Sequence, residues 1–191
     1  MKRHLRIPLF LLISLLNSLA SYASNEMSFH QLGVKTGMSD NYIQAIERDK
    51  YGFMWFATRD GLNRYDGYHF KTYTTLRQGA YNNSVEWVAE DAAGNIWIKT
   101  PVNYCFYDRE MDELDNRTEL LLHKIGIFER PRQLVIDDDK NLWCVADNTL
   151  YYYIFSDETL YKQSLPGSVN IADMACRNKR CSLLMTDGNV I

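Results

Sequence analysis

A tryptophan closes the same short phrase three times along this chain: Asp49-Lys-Tyr-Gly-Phe-Met-Trp55, Asp91-Ala-Ala-Gly-Asn-Ile-Trp97 and Asp137-Asp-Asp-Lys-Asn-Leu-Trp143. The tryptophans stand 42 and 46 residues apart, and a fourth, eroded copy puts Leu183 at the next place, 40 residues on. Repetition at that period, built from short β-like runs, marks stacked sheets of propeller type, because one repeat cannot bury its faces alone. The expected fold is all-β: a β-propeller of four-stranded blades, present as an incomplete N-terminal fragment of about three and a half blades.

Further columns repeat with the tryptophan. Nine residues before it stand Ile46, Val88, Leu134 and Met174; twelve before it, Ile43, Val85, Pro131 and Ile171; ten after it, Tyr65, Tyr107 and Tyr153. Apolar residues at fixed register read as core between neighbouring blades. In the first copy the spacing predicts strand a at Ile43 to Arg48, b at Phe53 to Thr58, c at Leu62 to Tyr65 and d at His69 to Tyr73. Between a and b, Asp49 and Asp91 offer carboxylates to nearby amides, and Gly52 and Gly94 tolerate positive φ. Lys140 occupies the glycine place in the third copy, so that turn is expected to differ or be strained. The blades are placed near 42–75, 84–115, 130–164 and 170–191, with an orphan outer strand at 28–32 and a short helix within 115–128.

Residues 1–23 read as an export signal, with Lys2, Arg3 and Arg6 ahead of an apolar run and Ser21-Tyr-Ala23 as cleavage site. The apolar run is too short to span a bilayer. Without those three cations the 21 basic residues become 18 against 24 acidic, a net charge of −6 for 24–191. Nothing in that balance suggests nucleic acid as a partner. Export puts the four cysteines in an oxidising compartment. Cys105 and Cys144 read as buried thiols. Cys176 and Cys181 flank a turn from Arg177 to Arg180 and face each other as a candidate disulfide; spacing alone leaves two free thiols as the alternative.

The run Phe29-x-x-Leu32, Gly37-Met-Ser-Asp-Asn41, Ile43, Ile46, Asp49-x-x-Gly52-x-x-Trp55-Phe-Ala-Thr58, Asp60-Gly-Leu62-x-Arg64-Tyr-Asp-Gly67 and Phe70 resembles the first blade of the two-component regulator propeller family. These propellers are periplasmic sensor regions of hybrid two-component systems typical of gut Bacteroidetes. The second copy lacks the Thr-x-x-Gly-Leu run, the third lacks the glycine and the fourth the tryptophan. The resemblance implies a parent that continues into an immunoglobulin-like module, a membrane helix, a histidine kinase and a receiver. It further implies a membrane-anchored homodimer that senses polysaccharide breakdown products and regulates genes through a phosphorelay.

Of the chemistry for signalling, none is visible: His4, His30, His69 and His123 have no partners at catalytic or metal spacing, and no cofactor is expected. The alternatives are an exported propeller enzyme, quinoprotein-like or glycan-active, and a protein-interaction scaffold. An enzyme would need converging metal ligands or a base, and Asp137-Asp-Asp139 reads as a solvated turn instead. In a propeller the d–a and b–c loops gather at one mouth. On this register the mouth carries Asp40, Asn41, Arg59, Asp60, Asn83, Ser84, Lys99, Arg130, Asp147 and Asn148, with Tyr42 and Trp87 as candidate stacking rings. Such a set suits an oligosaccharide, hydroxyl-rich or acidic.

Overall fold

The computed structural model describes residues 29–75, 83–167 and 170–191; the export signal and cleavage site lie outside them. From Leu32 onward the chain forms one compact unit of antiparallel sheets. The first blade is β1 (Ile43–Arg48), β2 (Met54–Thr58), β3 (Gly61–Tyr65) and β4 (Phe70–Tyr73). The second is β5 (Trp87–Glu90), β6 (Ile96–Lys99), β7 (Tyr104–Asp108) and β8 (Glu113–Asp115). The third is β9 (Pro131–Ile136), β10 (Leu142–Ala146), β11 (Thr149–Ile154) and β12 (Thr159–Ser164), and a hairpin of β13 (Ile171–Arg177) and β14 (Arg180–Met185) follows. Within each blade the strands pair in chain order, so a–b and c–d turns lie at one end and b–c and d–a connections at the other.

The tryptophan phrase has a mechanism. In each full blade the aspartate takes the indole N–H six residues on: Trp55 Nε1 to Asp49 at 3.0 Å, Trp97 to Asp91 at 2.8 Å and Trp143 to Asp137 at 2.9 Å. Its other oxygen accepts the amide of the residue four places ahead, Phe53, Asn95 or Asn141, at 2.9 to 3.0 Å. All three carboxylates are buried, so the turn and the indole satisfy a charge that would otherwise be costly there. Each ring then packs against the next blade: Trp55 with Val85, Val88 and Ile98, Trp97 with Leu134 and Cys144, Trp143 with Met174 and Leu183. Helix α1 (Glu119–Leu122) inserts Leu122 into the second of these interfaces.

Lys140 keeps the backbone conformation of the glycines it replaces, φ 61° against 91° at both Gly52 and Gly94. A side chain in that region costs on the order of 1 kcal/mol. Here it does something glycine could not. Lys140 Nζ meets Glu90 of the second blade at 2.5 Å and Glu47 of the first at 3.5 Å, tying three blades together around a Glu90 that is 2% exposed.

Two expectations are corrected. Residues 29–32 are irregular rather than strand. Leu183 does not stand in the tryptophan's place. The ladder pairs Met174 with Leu183 as it pairs Ile46 with Phe56 and Leu134 with Cys144, whereas Ala175 faces Ser182 as Glu47 faces Trp55. The hairpin loop has shrunk to Asn178-Lys179, both at positive φ, while strand a is longer, and a one-residue slip exchanges faces. Ser182 therefore holds the tryptophan slot, and Arg177 rather than an aspartate precedes the turn. Cys176 and Cys181 pair across this hairpin as a disulfide, with Cα atoms 4.1 Å apart.

The apolar column also divides. Val88, Leu134 and Met174 are buried against the preceding blade, but Ile46 is 54% exposed. On that face of the first blade the described residues place only the segment before β1, where Met38 is buried and Ser39 bonds Asn63 and Thr58.

Candidate functional site

The end formed by b–c and d–a connections carries the predicted ligand residues, and the structure sorts them. Asn41 is a brace: its side-chain oxygen accepts the Val34 amide at 2.9 Å and holds a short 3₁₀ turn. Asp40 likewise accepts the Tyr42 amide at 3.0 Å. Arg59, in the two-residue β2–β3 turn, lays its guanidinium 3.6 Å from the exposed Tyr42 ring centre. Asp60 in the same turn accepts from Asn83 Nδ2 at 2.9 Å, which joins the first b–c turn to the connection entering the second blade. Lys99 pairs with Glu86 at 3.5 Å. Trp87 is half-buried against the core between the second and third blades rather than free to stack.

Two crevices open at this end. One, of about 290 Å³, lies between the second and third blades and is lined by Asn103, Tyr104, Asn116, Thr118 and Arg130. Burial pushes the Tyr104 phenol up to about 12, so it stays a neutral donor, bonding Gln133 at 3.2 Å while accepting the Leu134 amide. The other, of about 390 Å³, lies at the end of the third blade and is lined by Arg132, Asp147, Asn148 and, from the connection after β12, Gly167.

Among the described residues two buried side-chain atoms lack a hydrogen-bond partner, Asn83 Oδ1 and Asn148 Oδ1, and both belong to this end. In each residue the amide nitrogen is committed, Asn83 to Asp60 and Asn148 to the Leu165 carbonyl at 2.7 Å. Both orphans are therefore acceptors awaiting a donor, and a buried polar group left so costs about 1–3 kcal/mol. The opposite end differs. Its crevice beside α1 is larger, about 480 Å³, but Asp91, Asn95 and Trp97 in its lining already bond one another. Asp112 there takes bonds from Tyr73 and Tyr107, each at 2.6 Å, and pairs with Lys71. That end is joined, not open. Among the described residues no group of His, Cys, Asp or Glu is placed to hold a metal, and Asp137 to Asp139 form a turn whose Asp138 pairs with Arg177 at 2.6 Å.

Sequence reasoning missed Gln44 and Arg132. Each is the residue that the ladder skips at a bulge in its blade's first strand, between the ladder pairs Ile43–Thr58 and Ala45–Ala57 or between Pro131–Ala146 and Gln133–Val145. The signal was present: each directly follows a member of the outermost apolar column, Ile43 or Pro131.

Stacked four-stranded blades, each docked on the next through an aspartate-bound tryptophan, define a β-propeller. Residues 37–60, which run from the Met38 plug through the first tryptophan to Asp60, match the family model described as Two component regulator propeller. That match covers the first two strands of the first blade, β1 and β2. A segment of 37 residues, 19% of this chain, is 51% identical to Histidine kinase P4 of Formosa agariphila and covers 3% of that protein. The extracellular domain of a hybrid two component system from B. thetaiotaomicron superimposes with a TM-score of 0.51 at 16% identity, over 81% of this chain and 21% of that one. Virginiamycin B lyase of Staphylococcus aureus gives a TM-score of 0.45 at 14% identity over 81% of this chain and 56% of the lyase, too low to bear on chemistry. The chain thus spans about a fifth of the length of the extracellular domain it resembles.

Proposed function

We propose that this chain is part of the extracytoplasmic sensing propeller of a hybrid two-component histidine kinase, and that its b–c and d–a mouth binds an oligosaccharide without altering it. The parent would be exported, anchored in the inner membrane and dimeric, with the periplasmic ligand controlling its phosphorelay. The observation that carries the reading is the pair of orphaned acceptors, Asn83 Oδ1 and Asn148 Oδ1, both at the end formed by the b–c and d–a connections. A saccharide offers hydroxyl donors at short intervals, which is the chemistry both oxygens lack. Arg59 over Tyr42 adds an exposed aromatic and a cation on the same rim. The test is calorimetry of the chain against polysaccharide digests, with chromatography of the recovered sugar. Asn148→Leu is expected to weaken binding about tenfold, since one bond to a buried acceptor is worth roughly 1–3 kcal/mol. Unchanged affinity in that variant would remove the mouth from consideration, and a cleaved or oxidised product would move the protein to the enzymes.

A further inference from the structure

The second and third blades meet differently from the first and second, and the difference centres on one repeated pair of residues. Asp112 and Glu158 stand fifteen residues after Trp97 and Trp143, each in its blade's c–d turn and each at a left-handed φ, 52° and 50°. Tyr107 and Tyr153 stand ten residues after the same tryptophans. At the first interface the pair is closed. Tyr107 and Tyr73 donate to Asp112 at 2.6 Å, and Lys71 and Arg64, paired across β4 and β3 of the preceding blade, supply the positive charge. At the second interface the preceding blade has Phe106 and Asp115 in those two ladder positions, so the cations are gone. Among the described residues neither Glu158 nor the Tyr153 hydroxyl has a hydrogen-bond or ion-pair partner, although burial and the Glu158 charge together push the phenol up.

Joined as that end is at the first interface, the second keeps a gap there, the crevice of about 480 Å³ beside α1. Asp91, Asn95 and Trp97, already bonded to one another, belong to its lining. Leu121, Ile125 and Phe155 add an apolar wall, and Lys124, in the 3₁₀ turn that follows α1, lines the crevice together with Glu158. Lys124 likewise has no hydrogen-bond or ion-pair partner among the described residues. Opposite charges that line one crevice without pairing leave it with a positive and a negative pole over an apolar surface, and a few placed polar groups on an apolar wall are the make-up of a small-molecule pocket. A simple anion would answer Lys124 and be repelled by Glu158, a simple cation the reverse, and a neutral sugar would answer neither charge. A zwitterion answers both. We propose that this crevice is a second ligand site, separate from the mouth, and that it takes a free amino acid with an apolar side chain. The ammonium sits on Glu158 as Lys71 sits on Asp112, the carboxylate on Lys124, and the side chain against Leu121, Ile125 and Phe155.

Calorimetry with the full chain tests this, using L-phenylalanine and L-leucine, each with its deaminated and its decarboxylated counterpart, as probes. At least one amino acid is expected to bind about tenfold more tightly than both of its single-charge counterparts, since each charge-assisted bond contributes that much or more. Glu158→Gln and Lys124→Met should each weaken that amino acid about tenfold, with melting as in the parent because neither side chain bonds the fold. Failure of both amino acids to bind, binding of the counterparts as tight as that of the amino acid, or undiminished affinity in either variant overturns the site. None of these outcomes touches the saccharide reading of the mouth, whose residues lie at the other end.

Discussion

Removing the Asp91 carboxylate should destabilise the second blade through its tryptophan, and the size of the effect follows from what is left behind. Asp91 is 1% exposed and accepts from Trp97 Nε1 at 2.8 Å, the Asn95 amide at 2.9 Å and Asn95 Nδ2 at 2.8 Å. In Asp91→Ala the indole N–H of Trp97, itself 1% exposed, stays buried without an acceptor. Hydrogen bonds to a charged group are worth about 1.5–3 kcal/mol and an orphaned buried donor costs about 1–3, so a loss of about 3–5 kcal/mol is expected, less than the simple sum because such terms overlap. Trp97→Phe removes the donor and part of the ring, costing about 1–3 kcal/mol. The informative quantity is the coupling. In the double variant no indole awaits an acceptor, so the two losses should fall short of additivity by about 1.5–3 kcal/mol. Urea unfolding followed by tryptophan fluorescence and far-ultraviolet circular dichroism gives all four corners of the cycle. Additive losses would mean that the aspartate serves the turn alone and that the repeated phrase is two independent devices.

Lys140→Gly should relieve about 1 kcal/mol of backbone strain yet lower stability overall, because breaking a pair with a buried carboxylate costs about 3–5 kcal/mol; a higher melting temperature for the glycine variant would refute the three-blade tie. At Asp112, burial alone would raise the carboxyl, but bonds from Lys71, Tyr107 and Tyr73 and the Arg64 charge hold it well below its ordinary value of 3.8. A depressed carboxyl stabilises the fold fully above 3.8 and loses that contribution as the pH falls further, so Asp112→Asn should be less stable at neutral pH and less sensitive to acid, by about 1 kcal/mol given its partial exposure; parallel pH profiles for parent and variant would contradict this. Protein recovered from the periplasm should yield Cys176 and Cys181 as one disulfide-linked peptide by non-reduced mass mapping, with Cys105 and Cys144 free, and recovery of all four as thiols would refute the cross-hairpin bridge.

What could be read from the sequence was whatever repeats. The tryptophan column, the aspartate turn and the strands of the first blade were legible because packing imposes one chemistry on every copy, and β1 begins and ends where the period placed it. Counting failed where length changed: the shortened Asn178-Lys179 loop moved Leu183 one register from the tryptophan slot, and only the ladder shows which face it joins. It also failed at Ile46, whose pattern matches Val88 and Leu134 although no blade covers it among the described residues. Partners distant in sequence were invisible too. Nothing in the turn of the third copy announces that Lys140 reaches Glu90 and Glu47, 50 and 93 residues earlier.

The site was half legible for a related reason. Topology alone assigns the b–c and d–a connections to one end, so the candidate residues share that end as a group, but which of them hold their own backbone or a neighbour depends on hydrogen bonds that no column reveals. Asn41 and Asp40 turned out to serve their own backbone. Search by repetition finds the residues that hold blades together and passes over those that distinguish one blade from another. The bulge at the head of β1, β9 and β13 keeps its backbone while the side chain changes from an amide to a guanidinium to a methyl, so no repeating column announces it.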